Sequence, residues 1–258
     1  LNKDITNISY NHLNLPVQIT FTKQAAPGQL SMAQYINYVY DATGVKLQKT
    51  VTASNPSSGY VTDYANGYIY EKAGLSATPA LKFFSHPEGY ASKNPNGSFS
   101  YIYQYKDHLG NVRLSYTDAN NNGTIAATEI VEGSDYYPFG LKHSRSNDIV
   151  SSLGNSTAQK YKYNGKEWQD ELGINMYDYG ARNYDPALGR WMNIDPLAEV
   201  EQSWSPYRYG FDNPVKYSDP TGMLESTHTD EDGNVIAVYD DGDLGVYKHG
   251  KNADGGTP

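Results

Sequence analysis

One template recurs along this chain and limits what it can fold into: a tyrosine-rich extended run, a turn built from Asp or Asn with Gly, and an outgoing run. "ISYNHLNLPVQITF" (Ile8 to Phe21) alternates apolar and polar residues around Asn-Leu-Pro, which predicts two strands and a turn. "YINYVYDATGVKLQKTV" (Tyr35 to Val51) repeats it, with the turn at Asp41 to Gly44. "YVTDYANGYIYEKAGL" carries the hairpin dipeptide Asn66-Gly67, and "FSYIYQYKDHLGNVRLSYTD" turns at Asp107 to Asn111. "YKYNGKEWQDELGINMYDYGARNYD" follows the same plan. Repetition of one strand–turn–strand unit predicts an all-β chain, stacked as a sheet or solenoid rather than folded as a compact sandwich.

Composition explains how such a chain could bury surface. It has 25 Tyr against 6 Phe and 3 Trp, and tyrosine packs its ring while its hydroxyl finds a partner. Helix signals are poor, because Gly and Pro interrupt most windows. The best is a turn or two over Pro196 to Gln202, with Pro at the first helical position. Ser144 to Thr157 reads as a surface loop.

Several function classes drop out. A net charge of −9 argues against nucleic-acid binding and offers no basic patch to a membrane surface. No apolar run approaches the ~20 residues of a membrane helix. The absence of cysteine excludes disulfides and thiolate metal sites. Leu1-Asn2-Lys3-Asp4 lacks the basic start of a signal peptide and already reads as strand, so the chain is expected to be a fragment of a longer protein.

"NYDPALGRWMNIDPLAEVEQSWSPYRYGFDNPVKYSDPTGM" (Asn183 to Met223) holds three Asp-Pro pairs, and Asp-Pro is first a turn signal. Asp185 reads as the cap of the turn before Ala187 to Arg190. After Met223 the composition turns acidic and rich in Asp-Gly. There "NVIAVYDDGDLGVYKHG" predicts a small hairpin turning at Asp240 to Asp243, ahead of a linker-like "KNADGGTP". Three segments follow: residues 1–160, 161–223 and 224–258.

These residues carry a resemblance. "YVYDATGVKLQKTV" resembles the YD repeat of Rhs/YD-repeat proteins, and Tyr161 to Met223 resembles the Rhs repeat-associated core domain over its whole length. "YKDHLGNVRLSYTD" and "DYYPFGLKHS" are similar to segments preceding that core in Bacteroidetes-type members. The resemblance implies a polymorphic toxin used in competition between bacteria and secreted or displayed at the cell surface. Its strands would wind into a hollow β-shell that encapsulates the protein's own C-terminal toxin region in cis. The core would plug that shell and cut the chain once after Asp-Pro-x-Gly-(Leu/Met). Here that motif is Asp219-Pro220-Thr221-Gly222-Met223, which places the cut between Met223 and Leu224. The resemblance further implies Asp195 as the catalytic aspartate, Arg182 as its associated arginine and a secretion machinery as partner.

Peptide cleavage needs a carboxylate to activate water and a second group to protonate or stabilise the tetrahedral oxygen. Asp195 and Asp219 form such a pair if the chain between them folds back, with Arg182 holding one carboxylate ionised or gripping the scissile carbonyl. Two other classes remain open beside this one. The same repeats would serve a non-catalytic cell-surface or adhesion scaffold, and the tyrosine surface would suit carbohydrate.

A second constellation is independent of the first. "DANNNGTIAATE" (Asp118 to Glu129) meets the calcium-loop pattern D-x-[DN]-x-[DN]-G-x5-E. Asp118, Asn120, Asn122 and Glu129 would offer side-chain oxygens and Thr124 a backbone carbonyl. The low ligand charge implies weak affinity, and the bland alternative is an Asn-rich hairpin loop. No cofactor is required by any reading. The six histidines are scattered and match no metal motif.

Overall fold

The computed structural model describes residues 2–22, 34–53, 59–74, 78–144, 151–199 and 203–223, and the backbone of 227–229, 235–237 and 246–248. Eleven antiparallel strands form one sheet in strict sequence order. They are β1 (Ile5–Tyr10), β2 (Pro16–Phe21), β3 (Gln34–Tyr40), β4 (Lys46–Thr52), β5 (Tyr60–Ala65), β6 (Tyr68–Ala73), β7 (Ala80–His86), β8 (Gly89–Lys93), β9 (Phe99–Lys106), β10 (Val112–Tyr116) and β11 (Ile130–Gly133). The chain is therefore all-β, with a meander built from the predicted hairpins.

The turns repeat one chemistry. Asp41 Oδ1 accepts the amides of Thr43 and Val45, at 2.8 and 3.0 Å, while Gly44 closes the turn at φ +92°. Asp107 Oδ1 does the same for Leu109 and Asn111 beside Gly110, and Asn11 Oδ1 for Leu13 and Leu15. A short side chain that satisfies two amides, plus a left-handed residue, fixes each reversal. The β7–β8 hairpin escaped the sequence reading because no such signal flags it. Its glycine answers to a neighbour instead: a Cβ on Gly89 would lie 2.1 Å from the Ile102 carbonyl oxygen on β9.

The fold divides into two compact units. The first comprises residues 1–103, 154–158 and 169–175. Its core is an aliphatic line across the strands, with Ile19, Ile36 and Val51 in register and all buried. Two later stretches of chain lie on this sheet. Asn155 donates to the Lys82 carbonyl and Ser92 Oγ, and Gln169 Oε1 accepts from the Tyr38 hydroxyl at 2.7 Å. Glu171 Oε1 takes both Lys49 Nζ, at 2.9 Å, and the Tyr60 hydroxyl, at 2.5 Å, with Lys49 and Glu171 almost fully buried.

The second unit holds residues 104–153, 159–168 and 176–258. The strands β13 (Met176–Asp178), β14 (Asn183–Asp185) and β15 (Arg190–Trp191) belong to it, in a small sheet completed by β12 (Glu167–Gln169). The core here is aromatic: Tyr163, Tyr177, Tyr179, Tyr184, Trp191 and Tyr209 are all buried together. Their hydroxyls are satisfied locally. Tyr163 and Tyr184 donate to the carbonyls of Pro138 and Phe139 at 2.8 Å, and Tyr179 and Tyr209 both donate to Asn164 Oδ1. Tyrosine replaces aliphatic packing here because each ring is buried and each hydroxyl has a fixed acceptor.

Two expectations are corrected. Residues 196–199 form a turn rather than a helix, because Asp195 claims the Leu197 and Ala198 amides; residues 200–202 lie outside the described set. The C-terminal strands β17 (Val235–Ala237) and β18 (Val246–Lys248) do not pair with each other. Both pair with β16 (Thr227–Thr229), which lies between them. The turn expected at Asp240 to Asp243 falls outside the described residues.

Candidate functional site

All three Asp-Pro pairs do turn chemistry. Asp185 Oδ1 accepts the Ala187 amide at 2.9 Å, and Asp195 Oδ1 accepts that of Leu197 at 2.8 Å. Asp219 Oδ1 accepts two, from Gly222 at 2.7 Å and Met223 at 3.0 Å. In Asp195 and Asp219 the second oxygen has another task. Asp195 Oδ2 lies 2.8 Å from Arg182 Nη1, and Asp219 Oδ2 lies 2.9 Å from Arg182 Nη2. Arg182, Asp195 and Asp219, which stand apart in sequence, thus meet on one guanidinium.

Arg182 reaches this position from the bend between β13 and β14, where its carbonyl accepts the Tyr179 amide at 3.1 Å. Its side chain is fully buried. The guanidinium carbon stands 4.3 Å from the centroid of the Trp191 ring, a cation–π contact that fixes the plane of the fork. Arg182 Nε donates to the Gly222 carbonyl. That carbonyl belongs to the peptide bond before the expected scissile one, so Arg182 grips the approach to the bond rather than the bond itself.

Asp219 is fully buried. Burial raises its carboxyl to about 6, and this outweighs the opposing pull of Arg182 and of the two amides. Around it the tyrosines of the core are pushed upward by burial, so their hydroxyls stay neutral hydrogen-bond donors. Gly222 is required twice over. Its φ is +76°, and a Cβ there would lie 3.0 Å from the Arg182 backbone nitrogen.

Two further groups hold the same segment. Lys166 Nζ donates to the Pro220 carbonyl at 2.5 Å, and the Ala181 amide donates to the Thr221 carbonyl at 3.1 Å. Neither Lys166 nor Trp191 was singled out from sequence. The only signal for Trp191 was its place in Gly189-Arg190-Trp191; Arg190 beside it points to solvent. Met223 is 37% exposed, and Leu224 lies outside the described residues.

The loop Asp118 to Glu129 turns its oxygens onto its own backbone. Asp118 accepts amides from Asn122 and Gly123, and Asn120 and Asn122 accept those of Asn122 and Thr124. Glu129 Oε1 and Oε2 accept those of Ala119 and Ala126 at 2.9 Å. Among the described residues no group of three or more His, Cys, Asp or Glu could hold a metal ion. His108, expected in a turn, meets the Val215 carbonyl through Nε2 at 3.0 Å. Among the same residues no helix is long and apolar enough to cross a membrane.

No protein-family model matches the chain. Salivary gland surface protein 1 of Aedes aegypti is 32% identical over 123 residues, covering 47% of this chain and 3% of that protein. Toxin subunit YenC2 of Yersinia entomophaga is 33% identical over 120 residues, covering 43% of this chain and 11% of that protein. The crystal structure of TcdB2-TccC3 without its hypervariable C-terminal region superposes with a TM-score of 0.63 at 22% identity, covering 85% of this chain and 10% of that one. The last is a likeness of fold alone. The chain spans about a tenth or less of the length of each of these proteins. The likeness to the toxin subunit is one of sequence over under half of this chain, and the likeness to the toxin complex is one of fold.

Proposed function

We propose that this chain is the C-terminal shell and core portion of an Rhs-type toxin, which encloses a C-terminal effector on the same polypeptide and cuts itself once after Met223. The observation that carries the reading is the convergence of Asp195 and Asp219 on Arg182, with Asp219 also bonded to the amides of Gly222 and Met223. Two carboxylates and a cation therefore stand at the segment that would be cut.

The roles follow from the unused bonding capacity of each group. Asp219 is surrounded by donors, so it acts as an ionised acceptor that pins the segment. Arg182 bridges the two carboxylates and holds the Gly222 carbonyl. Asp195 accepts one amide and one guanidinium N–H in the bonds described, and it carries the proton chemistry. It takes a proton from water as the water oxygen adds to the Met223 carbonyl carbon. As the bond to the Leu224 nitrogen breaks, Asp195 returns that proton to the leaving amine, and a Met223 carboxylate remains. Export from the cell and release of the effector would follow from the same reading.

Intact mass spectrometry of the chain carrying its natural C-terminal extension tests this, beside Asp195→Asn. The wild type should yield a fragment ending at Met223, and the variant should stay whole. If both stay whole, the triad is architectural. A second reading would then lead, that of a non-catalytic surface or adhesion scaffold, which the 32% identity to a salivary gland surface protein favours.

A further inference from the structure

Three consecutive carbonyls run up to the proposed cut, and each is held by a different donor. Pro220 is held by Lys166 Nζ, Thr221 by the Ala181 amide and Gly222 by Arg182 Nε. The Gly222 and Met223 amides are held by Asp219 Oδ1. The next carbonyl is that of Met223, and among the described residues it accepts no hydrogen bond. Every one of these contacts is to main chain. The Met223 side chain, by contrast, is more than a third exposed.

Main-chain hydrogen bonds read position along a strand and not side-chain identity. We propose that this clamp selects the bond to be cut by counting from Gly222, with Lys166 as a positioning residue, and that the Met223 side chain does not choose it. The inference rests on the self-cleavage reading above. Gly222 is the one position where the clamp does constrain the residue, through its φ and its approach to the Arg182 backbone. One residue beyond it lies the first carbonyl that no described residue holds, and that is the one the proposal assigns to attack. Lys166 extends the main-chain grip two residues upstream of Gly222, to the Pro220 carbonyl.

The test inserts one alanine between Gly222 and Met223 in the chain with its natural extension, and reads fragment masses. The clamp predicts a fragment ending at the inserted alanine. A fragment ending at Met223, or no fragment from a chain whose parent cuts, overturns it. Lys166→Met should slow the cut about ten-fold or more, as expected for a lost charge-assisted bond, while Lys166→Arg should restore most of the rate. Equal rates in all three overturn the role of Lys166. Amide exchange at Gly222 and Met223 separates this inference from the reading beneath it. If the wild type never cuts, self-cleavage fails. The clamp then stands or falls on whether Lys166→Met exposes those two amides.

Discussion

Arg182 sits over the Trp191 ring, guanidinium carbon to ring centroid 4.3 Å, while both its Nη atoms are bound to carboxylates. The ring fixes the plane in which the fork can meet Asp195 and Asp219 together. An ion triad buried this deeply contributes through geometry, since desolvating three charges offsets much of their attraction.

Removing the cation alone should therefore be costly. Arg182→Leu leaves two carboxylates with no counter-charge and should destabilise the second unit by about 3–5 kcal/mol. Urea unfolding followed by tryptophan fluorescence measures it, because Trp191 is in contact with the site. Arg182→Lys should recover little, because one ammonium cannot serve two carboxylates and a carbonyl at once. An unchanged midpoint in Arg182→Leu would show that water, not the arginine, balances the pair.

Asp219 gives the site a pH dependence whose sign can be worked out. Its folded value is raised from 3.8 to about 6, so the folded state binds the proton more tightly than the unfolded chain. Stability from this group is present in full below about pH 4 and is lost as pH rises through about 6. The loss amounts to roughly 3 kcal/mol, taking 1.36 kcal/mol per unit. Unfolding curves for wild type and Asp219→Asn should converge or cross over that window. A constant difference between pH 4 and 7.5 would mean that Asp219 titrates like a solvated aspartate. The ionised form that costs stability is also the one that accepts the Gly222 and Met223 amides, so cleavage should quicken over the same range.

Much of this was legible in the residues, and the part that was not has a physical reason. The hairpins at Asp41 and Asp107 could be read because one side chain and one glycine determine the turn locally. At Pro196 a turn stands where a helix is expected, because proline suits a first helical turn as well as a β-turn, and the choice lies with the Asp195 hydrogen bonds. Arg182, Asp195 and Asp219 were named through a resemblance; spacing alone marked each aspartate as a turn residue. Both statements hold, since one oxygen makes the turn and the other meets the arginine. Lys166 carried no sequence signal, because the carbonyl its ammonium reaches lies 54 residues away.

In the first unit, the Lys49–Glu171 pair should behave as a buried charge pair. Glu171→Ala leaves the Lys49 ammonium and the Tyr60 hydroxyl without the carboxylate oxygen they share. A loss of about 3–5 kcal/mol is expected. Lys49→Met combined with Glu171→Leu should recover a good part of it, since an apolar pair of similar volume incurs no charge desolvation. A double-mutant cycle in urea reads the coupling, and additive losses would place the two charges in separate environments.

Gly222→Ala joins backbone conformation to the proposed reaction most directly. Alanine at φ +76° is strained, at about 1–2 kcal/mol. Its Cβ would also press within 3.0 Å of the Arg182 backbone nitrogen and 3.3 Å of Tyr179 Cβ. Both neighbours are held in the bend between β13 and β14, so the segment is the part that yields, and it moves the Gly222 carbonyl off Arg182 Nε. The variant should therefore still fold, with its unfolding midpoint modestly lowered. Fragment formation, followed by mass over time, should fall at least ten-fold, as for a reacting group displaced by about 1 Å. Wild-type cleavage in Gly222→Ala would mean that neither the Arg182 grip nor the left-handed glycine sets the geometry of the cut.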